Sequence, residues 1–215
     1  MPVFQLSDKI IFPDPNLAEP DGLLAIGGDL SQERLLLAYS NGIFPWFSDG
    51  YPILWWSPNP RMVLIPKEFK RHKNLRRLVN KKYFSVTFNK NFEGVINSCA
   101  GVSRENQDGT WITDNMKQAY IALHHSGYAH SVEVWENDNL VGGLYGVLMG
   151  KVFFGESMFY KVSNASKVAL WYLVDRLLDV GVELIDVQQE TEHLKSLGAR
   201  LIDRESFLNL LVQLI

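Results

Sequence analysis

Every proline of the chain lies within its first 66 residues. The nine run from Pro2 to Pro66, whereas eleven of the sixteen glycines come after Pro66. Proline fixes φ and removes a backbone donor, so it is confined to turns, edges and first helical turns. The proline-free remainder carries no such restriction. One uniform pattern is therefore excluded, and a compositional boundary is expected near residues 60–66. We expect a small Pro- and Trp-rich domain over residues 1–62 and a larger domain over residues 63–215.

The two stretches read differently. Before the boundary, Phe12-Pro13-Asp14-Pro15 and Glu19-Pro20-Asp21-Gly22 read as turns. Ser31 caps a short helix that stops at Asn41-Gly42. Trp46, Trp55 and Trp56 crowd into eleven residues, as buried anchors or as rigid stacking platforms. After the boundary, the spacing predicts a strand over Tyr83–Phe88, a helix over Phe92–Ala100 and a Thr113-capped helix ending at Gly127. Alternation then predicts an antiparallel meander of Ala129–Glu136, Leu140–Met149 and Val152–Phe159. An amphipathic helix over Ser163–Val180 follows, then a buried strand over Glu183–Gln188, a short helix to Leu197 and a last helix over Glu205–Leu214. That order is the order of the GCN5-related acetyltransferases. The expected fold class is α+β, a mixed sheet with helices, with a small N-terminal α/β domain in front.

Composition removes several function classes. At 47% hydrophobic, 21% charged and 12% aromatic residues the chain is no disordered segment. No run approaches the ~18–20 apolar residues that a membrane-spanning helix needs, so no membrane partner is expected. The N-terminus lacks the basic start and apolar core of a secretory signal. Cys99 stands alone, which excludes an internal disulfide and suits a reducing cytoplasm.

Charge informs more by place than by total. Lys67, Lys70, Arg71, Lys73, Arg76, Arg77, Lys81 and Lys82 stand against Glu68 alone between Pro66 and Lys82, in a chain of formal charge −3. Such a run is either a solvated helix face or a focused field that grips phosphates. No base-reading motif accompanies it, so phosphate contacts would position a backbone rather than read a sequence.

Familiar catalytic motifs are missing. Gly155-Glu156-Ser157-Met158-Phe159 lacks the closing glycine and the strand-to-helix turn of a nucleophile elbow. The glycines at 142, 143, 146 and 150 fall in a hairpin and make no phosphate loop. His124, His125 and His193 lack a partner at metal-ligand spacing and read as surface or cap residues, so no metal is expected. Three features remain. Glu156 sits in a strand otherwise built for burial. Asp186 and Gln188 share one face of a buried strand under period-two alternation. Trp111 stands at a helix start. Each alone has a structural explanation, as a hydrogen-bonded buried carboxylate or a core anchor.

Together these segments are more specific. Glu19-Pro20-Asp21-Gly22-Leu23-Leu24-Ala25-Ile26-Gly27-Gly28-Asp29-Leu30 leads to Tyr39, Gly42-Ile43-Phe44-Pro45-Trp46-Phe47 and Trp55-Trp56-Ser57-Pro58. Then come Gly109-Thr110-Trp111-Ile112-Thr113, His130-Ser131-Val132-Glu133, Leu140-Val141-Gly142-Gly143-Leu144-Tyr145-Gly146, Phe154–Phe159 and Ser196-Leu197-Gly198-Ala199. In this order, from about residue 4 to residue 212, the chain resembles the bacterial leucyl/phenylalanyl-tRNA–protein transferases.

The resemblance implies an enzyme that moves Leu or Phe, and Met less well, from aminoacyl-tRNA to the α-amine of proteins beginning with Arg or Lys. The product would enter N-end-rule degradation. An aminoacyl ester is already activated, so the transfer needs no cofactor. A cytoplasmic monomer is expected. By position, Asp186 and Gln188 match the family's proposed catalytic pair. In one view Gln188, polarised by Asp186, takes the amine's proton; in another it orients the amine; transfer through the tRNA 2′-hydroxyl is equally open. Tyr39, Trp46, Trp111 and Glu156 would hold the terminal adenosine. Leu144, Phe153, Met158, Leu170, Leu173 and Ile185 would line the amino-acid pocket. The basic run from Lys67 to Lys82 would grip the acceptor stem. Two other readings stand beside this one, an acetyl-CoA-dependent N-acyltransferase and a non-catalytic RNA-binding module. The missing pyrophosphate loop counts against the first, and the carboxylates in buried strands count against the second.

Overall fold

A computed structural model of the chain describes residues 3–102 and 111–215. Its N-terminal part comprises β1 (Phe4–Leu6), β2 (Leu23–Gly27), α1 (Gln32–Ser40), β3 (Phe44–Pro45) and β4 (Leu54–Trp56). Among the described residues these strands form a four-stranded sheet in the order β1-β2-β4-β3. Ser31 caps α1 as its position suggests, its hydroxyl accepting from the Arg34 amide. The turn at Gly22 has φ +99°, and a Cβ there would strike Pro58, so glycine alone fits.

The chain continues through β5 (Arg61–Leu64), α2 (Lys73–Asn80), β6 (Ser85–Phe88), α3 (Phe92–Ala100), α4 (Asp114–His125), β7 (Ala129–Glu136), β8 (Asn139–Met149) and β9 (Val152–Tyr160). It ends with α5 (Ala165–Asp179), β10 (Leu184–Gln188), α6 (Glu192–Ser196), β11 (Arg200–Ile202) and α7 (Arg204–Leu214). These strands form a seven-stranded sheet in the order β11-β5-β10-β9-β8-β7-β6. The expected meander is β7–β9, paired antiparallel throughout. β9 and β10 run parallel, and α5 is the crossover that a parallel pair requires. α5 lies close on the sheet because Gly142 leaves room for Ala165.

Three elements differ from the sequence reading. β5 spans the expected 62/63 boundary and sits inside the large sheet, between β11 and β10. Paired on both sides, its four residues are all buried, too short a run to show a period. α2 carries no side-chain cap at His72, and β11 is only three residues long. The motif residues Gly109 and Thr110 lie outside the described residues.

Alternation along the strands divides the interior. Met62, Leu64, Phe153 and Ile185 pack with Leu170, Leu173 and Val174 of α5. Val63, Phe154 and Leu184 point to the other face, into a cluster with α3, α4, the N-terminal sheet and Phe207 of α7. The apolar core thus runs unbroken from the first sheet into the second.

Candidate active site

Two strand irregularities make the site. Tyr145 of β8 faces Ser157 and Gly146 faces Gly155, which leaves Glu156 of β9 without a ladder partner. On β10, Asp186 faces Val63 and Gln188 faces Met62, so Val187 is the extra residue. A bulge bends its strand and re-aims the side chains around it. Pairing between β9 and β10 runs from Leu184–Val152 to Asp186–Phe154 and ends there. Beyond that point the strands part, and a cavity of about 390 Å³ opens.

The bulges bring polar groups of the neighbouring strands β9 and β10 together. Gln188 takes φ +69°, a left-handed conformation that costs a non-glycine residue on the order of 1–3 kcal/mol. Its side-chain Nε2 donates to Glu156 Oε1 at 2.8 Å. Tyr39 of α1 donates to the same oxygen at 2.9 Å, and Tyr120 of α4 donates to Oε2 at 2.9 Å. The two phenol oxygens also touch each other. Tyr39, Tyr120 and Glu156 therefore form a closed ring of three contacts. Burial drives the Glu156 carboxyl up to about 7, against the pull of its three donors. Burial and the Glu156 charge hold both phenols well above their ordinary range, so they stay protonated.

Asp186 has a different environment. Arg61 of β5 grips it with Nε at 2.9 Å and Nη2 at 2.7 Å, both side chains being sealed from solvent. The guanidinium is itself sandwiched between Phe44 and Phe207, 4.7 Å from each ring centroid. Asp186 Oδ1 accepts the Gln188 backbone amide at 2.9 Å, which pins the bulge. Arg61 thus joins the N-terminal sheet, the last helix and the strand that carries Gln188.

The six residues expected to hold the amino-acid side chain, Leu144, Phe153, Met158, Leu170, Leu173 and Ile185, all line this cavity. So do Trp46, Trp111, Glu156 and Gln188. Two expected site residues do not. Tyr39 is fully buried and reaches the cavity only through Glu156. Asp186 is fully buried too, because the bulge at Val187 ends the period-two alternation that would have put it beside Gln188 on one face. The Gln188 amide side chain meets Glu156, not Asp186. Residues that the sequence did not assign to the site complete the wall, notably Phe44, Leu64, Thr191 and Leu194, and His193, read from sequence as a surface or cap residue, lines it too. Tyr120 was equally hidden, since a tyrosine on the apolar face of a helix reads as core.

The basic run lies close by. Lys67, Lys70, Lys73, Arg76, Arg77, Lys81 and Lys82 are exposed. Arg71 is half-buried, pairs with Asp175 at 2.5 Å and covers the Trp171 ring, which ties α2's approach to α5. The Lys70 amide donates to the Leu197 carbonyl at 2.9 Å, and His72 Nε2 meets the Ser196 carbonyl at 2.8 Å. The segment therefore abuts α6, whose His193 and Leu194 border the cavity.

Comparison with known proteins decides the family. The profile described as "Leucyl/phenylalanyl-tRNA protein transferase" matches residues 63–212, and that of its N-terminal domain matches residues 28–59. The chain belongs to this family. A leucyl/phenylalanyl-tRNA–protein transferase from Syntrophobacter fumaroxidans is 58% identical over 213 residues, covering 99% of this chain and 91% of its own. One from Flavobacterium johnsoniae is 53% identical over 209 residues, covering 97% and 99% respectively. The family makes the chain an aminoacyltransferase. Among solved structures, FemX aligns with a TM-score of 0.50 at 12% identity, over 83% of this chain and 70% of that one. The fold is thus the α+β, GCN5-related acetyltransferase-like arrangement that the element order implied. Among the described residues, no helix is long and apolar enough to cross a membrane.

Proposed function

We propose that the chain takes Leu or Phe, and Met less well, from aminoacyl-tRNA and joins it to the α-amine of proteins beginning with Arg or Lys. The product is marked for N-end-rule degradation. The observation that carries this reading is the cavity. Its deep wall is aliphatic and aromatic, and its mouth holds Gln188 and Glu156 at the point where β9 and β10 part. Such a pocket stabilises Leu and Phe by apolar burial and penalises a charged side chain through desolvation. Single methylene differences are worth about 1–3 kcal/mol, which gives only modest discrimination against Met.

The exposed basic run holds the acceptor-stem phosphates and passes the 3′ end across α6 to the cavity. The terminal adenosine stacks on Trp46 or Trp111, worth about 1–3 kcal/mol per base, with Glu156 as its polar partner. Backbone contacts let one enzyme accept several tRNAs, because selection rests on the aminoacyl group.

The chemistry asks for positioning more than activation. Gln188 spends one N–H on Glu156 and offers the cavity a second N–H and a carbonyl oxygen, which orient the amine against the ester carbonyl. Asp186, its charge countered by Arg61, holds the Gln188 backbone and acts through position. Residues 1–62 brace the nucleotide end against residues 63–215 through the Arg61–Asp186 ion pair and the Arg61–Phe207 contact.

One assay tests the proposal. An Arg-starting peptide is offered radiolabelled Leu-tRNA, Phe-tRNA, Glu-tRNA or acetyl-CoA. Transfer from Leu- and Phe-tRNA alone is expected. Transfer from acetyl-CoA would favour the N-acetyltransferase alternative, and comparable transfer from Glu-tRNA would overturn the pocket assignment.

A further inference from the structure

Among the described residues, the side chains that line the cavity include only three that titrate: Tyr145, Glu156 and His193. Any transfer to an N-terminal amine must remove a proton, because an α-ammonium has no lone pair with which to attack. Tyr145 is a phenol and no base near neutrality. Glu156 has both oxygens engaged by Tyr39, Tyr120 and Gln188. Asp186 is closed off against Arg61. Each carboxylate near the reacting atoms is thus already committed.

His193 is not. Thr191 caps α6 by accepting from the Leu194 amide at 3.2 Å, which fixes the first turn and sets the ring on the cavity wall. The ring's Nε2 is buried and has no hydrogen-bond partner, so a turn of the ring is what brings it to the cavity. A buried nitrogen of this kind stays desolvated without compensation until a partner arrives. The charged groups around it leave the ring neutral. Burial and Lys167 of α5 both push its pKa below 6.5. Lys195, Glu190 and Glu192 of its own segment pair with one another, and Glu156 lines the same cavity.

We propose that His193 is a catalytic residue of the transfer, its Nε2 taking the proton that the acceptor's α-ammonium must lose before attack; this rests on the aminoacyl-transfer reading above. The freed amine attacks the ester carbonyl and the C–N bond forms. The C–O bond to the ribose then breaks, and the ribose oxygen leaves with the second N–H proton of the tetrahedral intermediate. His193 returns its own proton to solvent. Atoms and charge balance with no other reactant.

The test is single-turnover transfer of Leu from saturating Leu-tRNA to a saturating Arg-starting peptide, followed from pH 6 to pH 9. His193→Gln keeps a hydrogen-bonding side chain but no proton acceptor. It is expected to lose about 100-fold in rate at neutral pH, the lower end of general-base contributions, while Leu-tRNA affinity and melting temperature stay unchanged. The deficit should shrink about tenfold per pH unit as the α-amine approaches its own pKa of about 8 and deprotonates in solution. In His193→Ala, added imidazole should restore rate. A His193→Gln rate within threefold of wild type, a deficit that does not vary with pH, or no imidazole rescue would overturn the assignment. A wild-type protein that transfers nothing from Leu-tRNA would instead overturn the aminoacyl-transfer reading on which it rests.

Discussion

Two carboxylates in the same sheet meet opposite fates. Glu133 of β7 is fully buried, in register opposite Thr87 of β6 and Gly143 of β8. Thr87 and Ser131 hydroxyls each donate to it at 2.5 Å, and the Lys90 amide adds a third bond. Its donors come from its own strand and the adjoining β6 segment, the ladder continues past it, and it does not line the cavity. Glu156 of β9 has as many donors, but they arrive from α1, α4 and β10, and the ladder fails at that residue. Burial of an acid therefore does not mark a site. An acid at a bulge, fed by separate elements and facing a cavity, does.

The contrast yields measurable differences. Arg61→Met leaves Asp186 buried without its partner and releases the Phe44–Phe207 sandwich, so a loss of about 3–5 kcal/mol in urea unfolding is expected. Next is pH. The Glu156 carboxyl is raised in the folded state, so its stabilising contribution is complete below its ordinary value of 4.5 and is lost as pH rises through about 7. Wild-type stability should fall by about 3 kcal/mol between pH 5 and pH 8, and Glu156→Gln should flatten that slope. Urea titrations at both pH values check it.

Activity and stability should then separate between the two regions. Gln188→Ala is expected to lower single-turnover transfer by about 100-fold, as loss of an aligned polar group at the reacting centre does, with little change in melting temperature. Glu133→Gln should do the reverse. It loses one of its two acceptor oxygens and about 1–2 kcal/mol of stability, yet transfers at the wild-type rate. A Glu133→Gln protein that folds normally but transfers poorly would erase the distinction.

Legibility in the sequence follows the same line. Regular elements were readable: the β7–β9 meander from its alternation, α5 from its apolar face, and Thr113 as the cap of α4. β5 was not, because four buried residues between Pro60 and Pro66 show no period. The six residues that family resemblance assigned to an apolar pocket all line the cavity, down to Leu170 and Leu173 on a helix that any amphipathic reading would assign to core, whereas Phe44, Leu64 and Leu194 of the same wall were not named. The polar half was only partly visible. Period-two counting sets Asp186 and Gln188 side by side, and a bulge at Val187 leaves no trace in residue types. Tyr120 reaches Glu156, and His193 the cavity wall, from separate helices, a coincidence of tertiary packing that local pattern cannot encode.

In the proposed reaction the cavity opened by the two bulges holds the transferred amino-acid side chain. Leu173→Trp fills that cavity from α5 without touching the exposed basic run. The measurement is single-turnover transfer of Leu and of Phe from their tRNAs to an Arg-starting peptide. Phe transfer is expected to fall further than Leu transfer, both by tenfold or more (about 1.4 kcal/mol per tenfold), while tRNA affinity is retained. Unchanged transfer of both amino acids by a folded Leu173→Trp protein would contradict it.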